Sequence, residues 1–97
     1  MKKFFIVYGH YDDNSFNAAI KDTFIASAIK AGHKIDLVDL YKDNFNPVFA
    51  GEEPGDDVLD HRRRIENCDT IVLIAPIWNF RMPAILEGWI DKVLAPP

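Results

Sequence analysis

The stretch DTIVLIAPIWNFRMPAILEGWIDK, from Asp69 to Lys92, decides the fold. Thr70 to Ile74 is apolar without alternation, the pattern of a short parallel strand covered on both faces. Pro76 to Phe80 makes an aromatic turn. From about Met82 to Leu94, apolar pairs recur at four-residue spacing, Ile85-Leu86, Trp89-Ile90 and Val93-Leu94, which gives a helix one broad buried stripe. Ala95-Pro96-Pro97 ends that helix. Strand, turn and helix put the turn at the carboxyl end of the strand, where ligands bind in open α/β sheets. Trp78 and Phe80 stand in that turn.

Upstream the same alternation of strand and helix repeats. Phe4 to Tyr8 is a second unbroken apolar run, and Gly9, His10 and the turn residues Tyr11 to Asn14 end it. Ser15 has the chemistry of a helix N-cap. The helix it opens carries Phe16, Ala19, Ile20, Phe24, Ala28 and Ile29 on one expected stripe, with Lys30 and Gly32 as stop signals. His33 falls in an exposed turn. Lys34 to Leu40 alternates in part, as a less buried edge strand does. Tyr41 to Gly55 is irregular and long for so small a chain, a length that points to function. Asp56 and Asp57 suit a helix start, and Val58, Leu59, Ile65 and Cys68 give that helix a narrow apolar side. His61 and the triplet Arg62 to Arg64 read as its solvated face.

Composition excludes several classes. The 97 residues suit one short domain, and 48% apolar with 27% charged is ordinary for a globular protein. The net charge of -4 lacks the basic footprint that nucleic-acid binding needs. No apolar run approaches the roughly 18 to 20 residues of a membrane span. The apolar run after Lys2-Lys3 stops at Tyr8, too soon for a signal peptide, so the cytoplasm is expected. Cys68 is the one cysteine, which excludes an internal disulfide and suits a small buried apolar residue. Neither His33 nor His61 has partners at metal-ligand spacing, so no metal site is expected.

Three strands alternating with three helices imply a parallel sheet with right-handed crossovers. The two most apolar strands belong in the centre, giving the order 2-1-3. This begins the flavodoxin-like order 2-1-3-4-5, in which ligand sits between the first and third strands. The expected architecture is therefore three-layer α/β, a single incomplete flavodoxin-like domain over residues 1–97 that ends before a fourth and fifth strand. The far edge of the third strand has no partner, and an open apolar edge is a template for association. That points to a homodimer.

Two loops fall at this switch point. His10 to Asn17 leads into a helix whose first N–H groups and dipole suit a phosphate. Pro76 to Phe80 offers aromatic surface beside backbone N–H groups, which suits a flat heterocycle. Walker A and G-x-G-x-x-G patterns are both missing.

The set H-x-x-x-x-S-F-N at His10, Ser15, Phe16 and Asn17, together with PIWNFRMPAILEGWIDKV from Pro76 to Val93, resembles the NAD(P)H:quinone oxidoreductases. That family includes modulator-of-drug-activity proteins and potassium-efflux ancillary subunits. The resemblance covers essentially the whole chain, including DLYKDNFNPV from Asp39 to Val48, and Asn79-Phe80 is also similar to the flavin loop of FMN-dependent azoreductases. It implies a flavin, FMN or FAD, with NAD(P)H as donor and a quinone-type small molecule as acceptor. His10, Ser15, Phe16 and Asn17 would hold the phosphate end. Pro76, Ile77, Trp78, Asn79 and Phe80 would line the isoalloxazine ring, largely through backbone N–H groups.

The chain departs from the family at Tyr11, where Pro is usual, at the acidic pair Asp12-Asp13, and at Arg81, where a small residue is usual. The family continues through two further strands that carry a third flavin loop and Tyr and His residues near the ring. No catalytic residue is therefore assigned. The alternative reading is a non-catalytic remnant or ancillary subunit that associates through the open edge of the third strand.

Overall fold

A computed structural model describes residues 1–94. Its elements are β1 (Lys3–Tyr8), α1 (Phe16–Lys30), β2 (Lys34–Asp39), α2 (Asp56–Glu66), β3 (Thr70–Ile74) and α3 (Ala84–Val93). The expected stop at Ala95 to Pro97 lies outside the described residues.

The sheet has the order β2-β1-β3, and both pairings are parallel. Lys3 to Tyr8 align with Lys34 to Asp39 on one side, and Phe4 to Tyr8 align with Thr70 to Ile74 on the other. The central position suits β1, whose Phe5, Ile6, Val7 and Tyr8 are fully buried. Because side chains alternate across a strand, they feed two cores. Phe5 and Val7 join Val38, Leu40, Phe45, Val58, Leu86, Trp89 and Val93 beneath α2 and α3. Ile6 and Tyr8 join Ala18, Ile74, Phe24 and Ile25 beneath α1. The three-layer α/β expectation and the 2-1-3 order both hold. Among the described residues β3 pairs with β1 alone, and Leu73 is exposed.

Four expectations need correction. The face that α1 buries is centred on Ala18 and Ala28, with Phe24 and Ile25, whereas Phe16, Ala19, Ile20 and Ile29 are exposed. The helix is apolar on more than one side, so the expected stripe is right at Phe24 and Ala28 and wrong at its other four residues; Phe16, Ala19, Ile20, Thr23 and Phe24 line an open groove. His61 is buried on α2, while Leu59 is exposed. The arginine triplet is not a uniform solvated face. Arg64 pairs with Asp36 of β2 and Asp60, and Arg62 donates to the carbonyls of Lys92 and Val93. His33 is half-buried, accepting from the Lys2 amide and standing edge-on to Phe4.

Candidate functional site

The turn after β1 is built by its own side chains. Gly9 donates to Ile74 O at 2.9 Å, which carries the β1–β3 ladder to the mouth of the switch point. His10 Nδ1 accepts from the Asp12 amide at 2.9 Å, and Asp12 Oδ1 accepts from Asn14 at 2.9 Å. Ser15 caps α1 as expected, its Oγ accepting from Ala18 N at 3.1 Å. The hydroxyl of buried Tyr8 lies 3.5 Å from that oxygen and 3.4 Å from Asp12 O. With Ala18 satisfied, Phe16 and Asn17 keep the helix-end N–H groups that have no intrahelical acceptor. The Asn17 side chain is half-buried beside them, while Phe16 turns outward into the α1 groove. His10 and Ser15 therefore shape this turn, and the free donors belong to Phe16 and Asn17.

The turn after β3 is a two-residue hairpin. Trp78 N donates to Arg81 O at 2.8 Å, and Arg81 N donates to Trp78 O at 2.9 Å. Between them Asn79 (φ 52°) and Phe80 (φ 64°) are both left-handed. Positive φ at both central positions defines a type I′ turn, whose usual signature is Asn-Gly. A bulky residue there is an outlier that costs on the order of 1 to 3 kcal/mol, and such strain collects at functional sites. The Phe80 side chain is 101% exposed and packs on nothing, so it is no core plug. Among the five residues expected to line a ring, Pro76 has no N–H and the Trp78 N–H is committed to Arg81. The amides of Ile77, Asn79 and Phe80 make no hydrogen bond among those described.

The two turns meet. The Trp78 ring lies 5.9 Å from His10 and 6.2 Å from Tyr11, and His10 stacks on Tyr11 at 4.7 Å. Tyr11 in turn stands edge-on to Tyr41 at 6.2 Å, so the loop after β2 joins the cluster. Two hollows flank it. One of about 170 Å³ is lined by His10, Tyr11, Asp13, Asp39, Tyr41 and Lys42. The other, of about 300 Å³, lies on the far side of the hairpin against Trp78, Arg81, Met82, Pro83 and Glu87. Among the described residues no group of three His, Cys, Asp or Glu is placed to hold a metal ion.

The core beneath α2 and α3 contains a buried polar pair. Trp89, fully buried on α3, donates Nε1–H to His61 Nδ1 at 3.0 Å, and His61 stacks on Phe45 at 5.9 Å. Burial, with the nearby Arg64 charge, pushes the His61 pKa below its ordinary value, while Asp57, Asp60 and Asp43 oppose the shift. Arg64 is held in its charged form by Asp36 first and by Asp60. Arg81 at the hairpin exit is likewise favoured as a cation by its hydrogen bond to Glu87. Tyr8, Tyr41 and His61 were not singled out as supports by sequence reasoning. Tyr41 and His61 meet Tyr11 and Trp89, far along the chain, while Tyr8 reaches the nearby Asp12 and Ser15 from within an apolar strand run.

An open parallel α/β sheet whose two carboxyl-end turns converge at the switch point, one opening a helix and one aromatic, has the layout in which such folds place their ligand crevice. The family model described as flavodoxin-like fold matches residues 2–97, and the chain belongs to that family. It is 27% identical to ribosyldihydronicotinamide dehydrogenase [quinone] of Rattus norvegicus, over 96% of this chain and 51% of the relative. A solved NAD(P)H:quinone oxidoreductase from Methanothermobacter marburgensis superposes with a TM-score of 0.88 at 28% identity, over 95% of this chain and 52% of that one. An azoreductase from Bacillus anthracis gives a TM-score of 0.75 at 20% identity over 96% of this chain and 55% of that one, which shows the shared fold alone. The chain spans about half the length of the curated relatives it matches. No helix among the described residues is long and apolar enough to cross a membrane.

Proposed function

We propose that the chain binds a flavin, FMN or FAD, across the two turns and serves the two-electron reduction of quinone-type acceptors by NAD(P)H. The observation that carries this reading is the convergence of the turns, with Trp78 5.9 Å from His10 at the β1–β3 switch point. Family membership and the names of the relatives support it.

The residues present fit the group. The N–H groups of Phe16 and Asn17, at the positive end of a 15-residue helix, suit a phosphate. Ser15 and Tyr8 hold that helix start in place, and the Asn17 carboxamide adds a neutral donor. Asp12 and Asp13 are exposed, so the high dielectric of water keeps their repulsion of a phosphate on the order of 1 kcal/mol each. At the other turn, the amides of Ile77, Asn79 and Phe80 are donors for the polar edge of a ring. Trp78 supplies the stacking face. Two planes in contact with a ring between them stand about 7 Å apart, so Trp78, tilted at 59° and 5.9 Å from His10, leaves no slot. The ring rests on the outer face of Trp78, or Trp78 swings to admit it. When bound, the flavin supplies the two-electron chemistry between donor and acceptor. Phe80 and Trp78 exclude water from the ring face.

The experiment is a titration of the apoprotein with FMN and with FAD, followed by NADPH and a quinone. Flavin fluorescence quenched on binding, then bleaching of the bound flavin by NADPH and its recovery with quinone, is the expected result. Protein that takes up neither flavin ends the reading. The free edge of β3 favours pairing of two copies, and light scattering then gives twice the mass of the chain; a monomer at all concentrations removes the homodimer and, with it, the reading as an edge-associating ancillary chain.

A further inference from the structure

We infer that Arg81 reads a negative charge on the electron acceptor, so that the site favours quinone-type acceptors carrying a sulfonate or carboxylate. This rests on the turn being the flavin and acceptor site.

Arg81 is fixed at its backbone and free at its tip. Both of its main-chain groups are locked to Trp78, while its side chain is 75% exposed. Its only partner among the described residues is Glu87, through Nε to Oε1 at 3.4 Å and Nη2 to Oε2 at 3.3 Å. Charge-assisted bonds of good geometry are about 2.7 to 2.9 Å long, and exposed ion pairs contribute little. This pair is therefore easily exchanged. The guanidinium has five N–H donors in a planar fork that matches an oxyanion, and the Glu87 contact engages only two of its nitrogens. Glu87 loses little when Arg81 leaves, because it lies in the first turn of α3, where the helix end favours negative charge.

The surroundings specify the ligand. Trp78, 40% exposed, and Arg81 both line the hollow of about 300 Å³, together with the apolar Met82 and Pro83. An aromatic surface next to a cation fits a flat ring that bears an anion. Arg81 and Glu87 are the two charged residues on the lining, and the chain as a whole carries -4. Arg81 therefore supplies this hollow with a local cation on a chain of net negative charge.

Calorimetric binding of anthraquinone-2-sulfonate and of its neutral 2-hydroxymethyl analogue, on the 97-residue protein with and without FMN, tests the inference. The sulfonate is expected to bind about five-fold more tightly than the neutral compound, the size of one exposed charge interaction. Arg81→Ala should abolish that preference and leave the neutral compound within about two-fold, Arg81→Lys should restore part of it, and Glu87→Gln should strengthen sulfonate binding. Far-UV circular dichroism establishes that each variant is folded. Equal loss of both compounds in Arg81→Ala, or weaker sulfonate binding in Glu87→Gln, overturns the inference. Equal binding of the two anthraquinones, with Arg81 instead separating NADP⁺ from NAD⁺, assigns the fork to the donor and also overturns it. Failure to bind FMN while the Arg81-dependent preference persists sinks the flavin reading alone.

Discussion

Replacing Gly88 by alanine puts two physical effects in direct opposition. Gly88 is buried within α3, where alanine is normally the better helix former by about 1 kcal/mol. A Cβ at this position, however, would lie 2.6 Å from Pro47 Cα and closer still to the Pro47 carbonyl oxygen and Cβ. Those atoms belong to a backbone and a ring, so no rotamer change relieves the overlap. The segment around Pro47 has to move. It carries Phe45, buried in the main core, and Asn46, whose carbonyl accepts from Lys92 Nζ at 2.9 Å. Forced overpacking of this kind costs about 1 to 3 kcal/mol and the clash is with unyielding atoms, so the upper part of that range applies. Subtracting the propensity gain leaves a net destabilisation of about 1 to 2 kcal/mol. Urea denaturation at constant slope measures it as a lower midpoint, and the melting temperature should fall by about 4 to 8 °C for each kcal/mol. A variant more stable than the parent by about 0.5 kcal/mol or more would show that Pro47 does not pack on α3.

Two further outcomes follow from the geometry. His61 is held neutral because its Nδ1 accepts from Trp89 and burial disfavours its charge. Its folded pKa lies below the unfolded value of about 6.5, so stability is complete above that pH and declines as pH falls below it, by at most about 1.4 kcal/mol per pH unit for one proton. Melting curves from pH 7.5 to 5 should show this decline in the parent and a flatter profile in His61→Gln; equal slopes would remove His61 as the titrating group. Trp78→Ala should weaken flavin binding by about ten-fold, the scale of one lost aromatic contact, while changing stability by less than about 1 kcal/mol, because the side chain is exposed and outside both cores. A collapse of stability with flavin affinity intact would make Trp78 a structural plug.

Legibility of the sequence followed the range of the interactions. Unbroken apolar runs at Phe4 to Tyr8 and Thr70 to Ile74 foretold the two strands that meet at the site, because a central parallel strand shows apolar residues to both layers. Ser15 announced its helix because capping is a contact over three residues. What stayed hidden is long-range or conformational. The His61–Trp89 bond joins residues 28 apart, and Arg64 reaches Asp36 across the same separation. Neither leaves a local pattern, so a buried histidine and a cross-linking arginine looked like parts of a solvated face. The hairpin at Trp78 to Arg81 was read as a plain turn because Asn-Phe lacks the glycine that marks a type I′ pair. On α1 the exposed flank also carries apolar residues, Phe16 and Ile20, so the buried stripe could not be chosen by spacing.

The central claim is that a flavin occupies the two turns at the ends of β1 and β3. Titration of FMN into ¹⁵N-labelled protein, followed amide by amide, tests it most directly. The account predicts the largest shifts at Phe16 and Asn17 on one turn and at Ile77, Asn79 and Phe80 on the other, with the indole N–H of Trp89, buried against His61, unmoved. Saturable binding that leaves those five amides in place and shifts residues elsewhere on the sheet would contradict it.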